Sequence, residues 1–269
     1  MKLVDTDALF EKYIKKYMTE NAGKFTEEEW EDKIPELYEG FGNMPLKAFD
    51  GKTAVEYYSS LSGKELCELL KEHIEEEIPV SDYLCEALVG GDTERGLIAF
   101  LKKGTDEELI SYAVNILRDK ACFTALPIYL SYVTAADTDE NLRELMGEML
   151  IENAREIKCE LLKAASTAKH GKSFLTEALA NCDREEEIFN YLKAEFETTK
   201  ELSLFAHYFV KYGDERAVEL IKKRIADPII KYADYMELKF AIEALGGEYE
   251  DNRDFTSDKT YRKIKNRKN

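Results

Sequence analysis

Only three histidines, His73, His170 and His207, occur in the 269-residue chain, so imidazole acid–base or metal chemistry has to draw on them. His73 stands in KEHIEEE, three and four residues before Glu76 and Glu77, a spacing that places the side chains on one helix face. Two such groups fall short of a closed metal site, and a solvated polar cluster is the simpler expectation. His170, in TAKHGKS, precedes Gly171, where it suits a helix C-terminus. His207, in LFAHYFVKY, lies among aromatics and is expected to be partly buried and hydrogen-bonded. An acid–base role there would need a carboxylate across a pocket.

The other chemistry-bearing residues read as structural. Five cysteines, Cys67, Cys85, Cys122, Cys159 and Cys182, are odd in number and form no CxxC pair, which fits buried thiols in a reducing compartment. Cys182 stands near a helix start, but Asp183 beside it opposes thiolate formation. The EEE runs at 27–29, 75–77 and 185–187 mark helix ends, where charge and solvation account for them. GGDTERG at 90–96 lacks the frame of a phosphate or dinucleotide loop, as does GKT at 51–53. No catalytic residue, cofactor or metal ligand is assigned on these grounds.

Tyrosine is the richer signal, with 16 residues against one tryptophan. Tyr129 and Tyr132 stand three apart, Tyr208 and Tyr212 four apart, and Tyr232 and Tyr235 three apart. Rings at these spacings fill helix seams, or they line a face that docks a peptide. The candidate interaction surface is Tyr129, Tyr132, His207, Tyr208, Tyr212, Tyr232 and Tyr235.

The elements that would position these residues are helices. Proline and glycine are scarce, at 5 and 14 residues, and alternating β-branched runs are missing, so long helices with short joints are expected. Thr26/Glu29, Thr53/Glu56 and Ser62/Glu65 have capping-box spacing. Thr105/Glu108, Asp183/Glu186 and Thr198/Glu201 repeat that spacing further on, and Asp214 is a further N-cap candidate. Pro35 is expected to interrupt the helix begun at Thr26, whose Trp30 reads as a packing residue. Turn landmarks at Asp92, Asp119, Asp183 and Asp214 are separated by 27, 64 and 31 residues, a rhythm of paired helices. In all, about ten to fourteen helices are expected.

The stretch YGDERAVELIKKRIADPIIKYADYMELKFAIEALGG resembles HEAT-like repeats of the armadillo-type α-solenoid group. The shared features are the G-D turn, Ala217 followed by Leu220, the turn at Asp227, and the Ala-x-x-Ala-Leu-Gly ending at 241–246. DPIIKYADYMELKFA is longer than the corresponding part of many such repeats and lacks their early arginine. The likeness is clearest over 198–247 and extends more weakly over 81–133. It implies an all-α, right-handed solenoid of antiparallel helix pairs. Most proteins of this kind are binding scaffolds; some are lyases acting on bilin cofactors and some are DNA glycosylases. The expected organisation is a helical capping region at 1–78, repeats at 79–252 and a basic tail at 253–269.

Charge narrows the partners. The net charge is -17, with 55 acidic against 38 basic residues, which disfavours nucleic acid and anionic lipid. The exception is the segment from Arg253, with seven basic and two acidic residues, expected to be a solvated tail able to hold nucleic acid weakly. MKLVDTDALFEKY is unlike a secretory signal and no run of 18 apolar residues occurs, so a cytoplasmic location and no membrane span are expected. The expected function is a protein-interaction scaffold without catalysis, its acidic, tyrosine-rich surface facing a basic peptide or protein. The alternative is a lyase or other small-molecule enzyme of the HEAT-like type with a pocket in the concave face, so enzymatic activity stays open.

Overall fold

The computed structural model describes residues 1–104 and 106–267, and among them all regular structure is helical. Sixteen α-helices are present among the described residues, more than the pattern of caps suggests. The chain divides into two compact units, residues 1–125 and 126–269.

Unit 1 holds α1 (Thr6–Glu20), α2 (Glu27–Gly42), α3 (Ala54–Ser59), α4 (Gly63–Glu75), α5 (Asp82–Gly90), α6 (Glu94–Lys103) and α7 (Glu107–Asp119). All three early capping boxes form: Thr26, Ser62 and Thr53 each accept from the backbone three residues on, and Glu29, Glu65 and Glu56 bond back. The Thr105 cap lies outside the described residues. Asp106 caps α7, its Oδ1 accepting from the Leu109 amide at 2.8 Å. α4 is the central element and packs on α5, α6 and α7. Its stripe, Leu66, Leu69, Leu70 and His73, has the i, i+3, i+4, i+7 spacing of a core face, and all four residues are buried.

Pro35 lies inside α2 rather than ending it. The residue is exposed, and at a solvent-facing position the missing N–H and the freed carbonyl a turn earlier are hydrated rather than stranded.

Unit 2 holds α8 (Leu126–Thr134), α9 (Glu140–Glu152), α10 (Lys158–Ala165), α11 (Lys172–Ala180), α12 (Glu186–Thr198), α13 (Leu202–Tyr212), α14 (Ala217–Ile225), α15 (Tyr232–Ala244) and α16 (Lys259–Arg267). Each helix packs on those next or next but one in the chain, as α8 on α9, α9 on α11 and α13 on α15. This arrangement is compatible with a helical repeat. The expected caps at Asp183 and Thr198 do not form: Asp183 pairs with Arg155 at 3.3 Å and the Thr198 hydroxyl turns back to the Glu195 carbonyl. Asp214 orders its turn by accepting from the Arg216 amide at 3.0 Å, and its carboxyl is pinned by the Arg216 guanidinium at 2.8 Å.

The segment after Arg253 carries anchors that its polar composition hides. Arg253 donates to the carbonyls of Ile225 and Asp227 at 3.0 and 2.8 Å, closing the C-terminus of α14. Phe255 packs on Tyr232 and Tyr235 at 5.1 and 4.8 Å between ring centroids, and Tyr261 on Tyr232 at 5.0 Å. Aromatics, not aliphatics, therefore seat α16.

α14 buries Ala217, Val218, Ile221 and Ile225 against α15, whose Leu238 and Ala241 are fully buried, whereas Leu220 and Leu245 are half-buried. Ile221→Ala is therefore expected to cost about 2–5 kcal/mol and Leu220→Ala roughly 1 kcal/mol. Urea unfolding of the two variants checks the order; equal losses would refute the assigned face.

Candidate functional site

The residues singled out by spacing lie on α8, α13 and α15 and differ in burial. Tyr129, Tyr208, Tyr212 and Tyr235 are buried, Tyr132 and Tyr232 half-buried, and His207 exposed. The Tyr212 hydroxyl accepts from the Glu185 amide at 2.7 Å and donates to the Glu185 carbonyl at 2.8 Å, holding the entry of α12. The Tyr208 hydroxyl donates to the Ser173 carbonyl at 3.3 Å. His207 and Tyr208 are neighbours in α13 with opposite fates, one exposed and one buried, so they do not converge. His73 is fully buried, not part of a surface cluster; its place on the leucine stripe of α4 carries it inward. His170 is exposed beside Gly171, which has φ +64°, ahead of α11 rather than at the end of α10. Burial pushes the thiols of Cys67 and Cys85 up to about 11 and raises that of Cys182, so all three are protonated at neutral pH. Among the described residues no group of three or more His, Cys, Asp or Glu side chains is placed to hold a metal ion. No described helix is long and apolar enough to cross a membrane.

Aromatic and acidic side chains come together instead in unit 1. A cleft of about 660 Å³ is lined by Phe10 of α1; Ile34, Pro35, Tyr38 and Glu39 of α2; Asn43; Val55 of α3; and Asp82, Tyr83 and Glu86 of α5. A smaller recess of about 280 Å³ shares Val55, Tyr83 and Glu86 and continues to Gly90 and Gly91. Helical spacing makes the walls: Ile34, Pro35, Tyr38 and Glu39 share one side of α2, and Asp82, Tyr83 and Glu86 one side of α5. Ile34 and Val55 remain 38% and 40% exposed, apolar surface turned toward solvent at the cleft.

One close approach sets the floor. A Cβ on Gly42 would lie 2.2 Å from the Tyr83 ring, inside contact distance. With only hydrogen there, Tyr83 lies against α2, stacks on Tyr38 at 4.7 Å with 12° between planes, and donates its hydroxyl to the Tyr38 carbonyl. Phe10 meets Tyr38 edge-on at 4.9 Å and 89°. The Tyr38 hydroxyl reaches Asp7 at 3.4 Å.

The electrostatics are one-sided. Asp7, Glu39, Asp82 and Glu86 make no ion pair among the described residues, and no lysine or arginine stands among the cleft-lining residues given above. The Asp7 carboxyl is held above its ordinary range, first by partial burial and then by repulsion from Asp5 and Asp82. Burial raises the Tyr38 phenol and pushes that of Tyr83 up to about 12, so both remain neutral. Uncompensated carboxylates beside aromatic faces suit a cation with an apolar stem. No protein-family model, curated protein or solved structure matches this chain.

Two outcomes follow from this geometry. Gly42→Ala forces the Tyr83 ring off α2 and is expected to cost about 1–3 kcal/mol, read as a lowered urea midpoint; an unchanged midpoint would show that the contact is not close. Asp7 has a raised folded pKa, so the folded state binds the proton more tightly than the unfolded chain. Its contribution to stability therefore declines as pH rises from the ordinary carboxylate value through the raised one. Asp7→Asn is expected to exceed the parent in thermal midpoint at neutral pH, with the gain fading below about pH 4. A gain confined to acid pH would contradict the assignment.

Proposed function

We propose that this chain is a non-catalytic protein-interaction scaffold, built on HEAT-like helix pairs, whose acidic aromatic cleft in unit 1 receives a basic peptide or protein segment. The observation that carries this reading is the pairing of the stacked Tyr38 and Tyr83 rings with Glu39, Asp82 and Glu86 in a single cleft. Lysine and arginine side chains match both parts: the methylene stem covers the half-buried Tyr38 ring and the exposed Ile34 and Val55 beside it, and the cationic head meets the carboxylates. Aromatic anchors then supply the affinity and the acids supply steering and choice of partner. The wider charge agrees, since residues 1–125 hold 27 acidic and 15 basic side chains.

Fluorescence anisotropy with a labelled lysine- and arginine-rich peptide tests the reading. Binding should weaken as salt is raised, because these carboxylates are exposed to screening. Tyr83→Ala is expected to lower affinity about tenfold or more. Asp82→Asn with Glu86→Gln should lower it and flatten the salt dependence. Equal binding of an acidic peptide of the same length, or indifference to all three substitutions, would refute the cleft as the site.

A further inference from the structure

The recess of about 280 Å³ beside the cleft lies where two helices end. α3 closes with Ser59 and α5 with Gly90, and both residues line it. The last turn of a helix leaves carbonyls without a partner inside the helix. Most of those at these two ends are answered by nearby groups. At α5 the Gly91 amide donates to the Ala87 carbonyl and the Thr93 hydroxyl to that of Leu88, while Lys120 donates to those of Val89 and Gly91 at 2.6 and 2.7 Å. At α3 the Ser60 amide donates to the Glu56 and Tyr57 carbonyls and the Leu61 amide to that of Tyr58. The carbonyls of Ser59, Leu61 and Gly90 receive no donor from the described residues.

The lining is thus rich in acceptors. Glu86 adds a carboxylate without an ion pair among the described residues. Neither Lys120 nor Lys52, which reaches the Ser60 hydroxyl at 3.4 Å, lines the recess. Apolar surface completes the wall, with Val55 40% exposed and Leu61 and Ala87 half-buried. A guest with an apolar stem and a head that only donates matches this lining. Arginine and lysine share that description and differ in the head. An ammonium is compact and strongly hydrated, whereas a guanidinium spreads five N–H donors over a planar fork and sheds water more readily. Acceptors carried by two separate helix ends favour the diverging donors.

We propose that the recess is a subsite for one arginine side chain of the basic segment, entered past Val55 and Glu86, which border both recess and cleft. It rests on the proposed docking of that segment in the cleft. It adds a choice between the two cations that carboxylates at the cleft do not make by charge alone.

Gly90 allows the recess to be filled while every cleft residue stays as it is. It lines the recess and not the cleft, its φ is not positive, and a Cβ there meets nothing within 4 Å. Ser59, exposed at the end of α3, offers a second such position. Three labelled lysine-rich peptides, identical except for a central arginine, lysine or leucine, are compared by fluorescence anisotropy on the full chain. The parent should bind the arginine peptide about tenfold more tightly than the other two. Gly90→Leu, and separately Ser59→Leu, should bring the arginine peptide down to the affinity of the lysine peptide, with helical circular dichroism retained. Equal affinities of the parent for the arginine and lysine peptides would overturn the subsite and leave the cleft standing, as would a preference that survives in both folded variants. A leucine peptide bound as tightly as the arginine one would overturn it too, by giving the recess to an apolar side chain. Should both variants fail to fold, the ranking of the three peptides by the parent decides. Failure of all three to bind the parent would remove the cleft reading and the subsite together.

Discussion

The cleft depends on the contact between Tyr83 and the backbone of Gly42. A side chain at position 42 would occupy the space of the ring. Its lack lets one tyrosine do three things: stack on Tyr38, bond to the Tyr38 carbonyl, and hold α5 close to α2. The acids follow from that placement, because Asp82 and Glu86 share the side of α5 that carries Tyr83. The exposed Pro35 also finds a use here. It stands in the opposite wall of the cleft with Ile34, adding apolar surface at a point where α2 can forgo an amide donor.

The neighbourhood of the cleft also gives up stability. Asp7 is partly buried beside Asp5 and Asp82, so its charge is disfavoured by both solvation and repulsion. A fold selected only for stability would place a lysine or an amide among these groups. Elsewhere the chain does pair its charges: Lys158 with Glu185, Lys172 with Glu195 at 2.7 Å, and Lys211 with Glu177 at 2.7 Å. Unrelieved charge beside a concave aromatic surface favours the proposed docking of a cationic segment, which would bring the missing positive charge.

What was legible in the sequence was the local physics. Capping boxes at Thr26, Thr53 and Ser62 are contained within four residues, and each formed as its spacing implied. The all-helical class followed from composition and periodicity for the same reason. Features decided by contacts distant in sequence were less legible. Asp183 has the spacing of a cap but pairs with Arg155 across 28 positions. His73 has helical spacing to Glu76 and Glu77, but Leu66, Leu69 and Leu70 set the stripe on which it falls, and that stripe faces the core. The cleft itself joins residues 10, 38 and 83, and no single window of sequence contains them. Gly42 serves as a close-packing site at the end of α2, a role set by Tyr83 far away in sequence. Phe255 and Tyr261 were too few to stand out in a basic segment, yet they are its anchors.

The central claim is that a basic segment lands on the aromatic acids of unit 1. Amide hydrogen exchange, followed by mass spectrometry with and without a saturating lysine- and arginine-rich peptide, locates that landing directly. The account predicts slowed exchange in peptides spanning 34–43 and 82–90, with little change in α13 to α15. Protection confined to α13 to α15, with 34–43 and 82–90 unchanged, would contradict it.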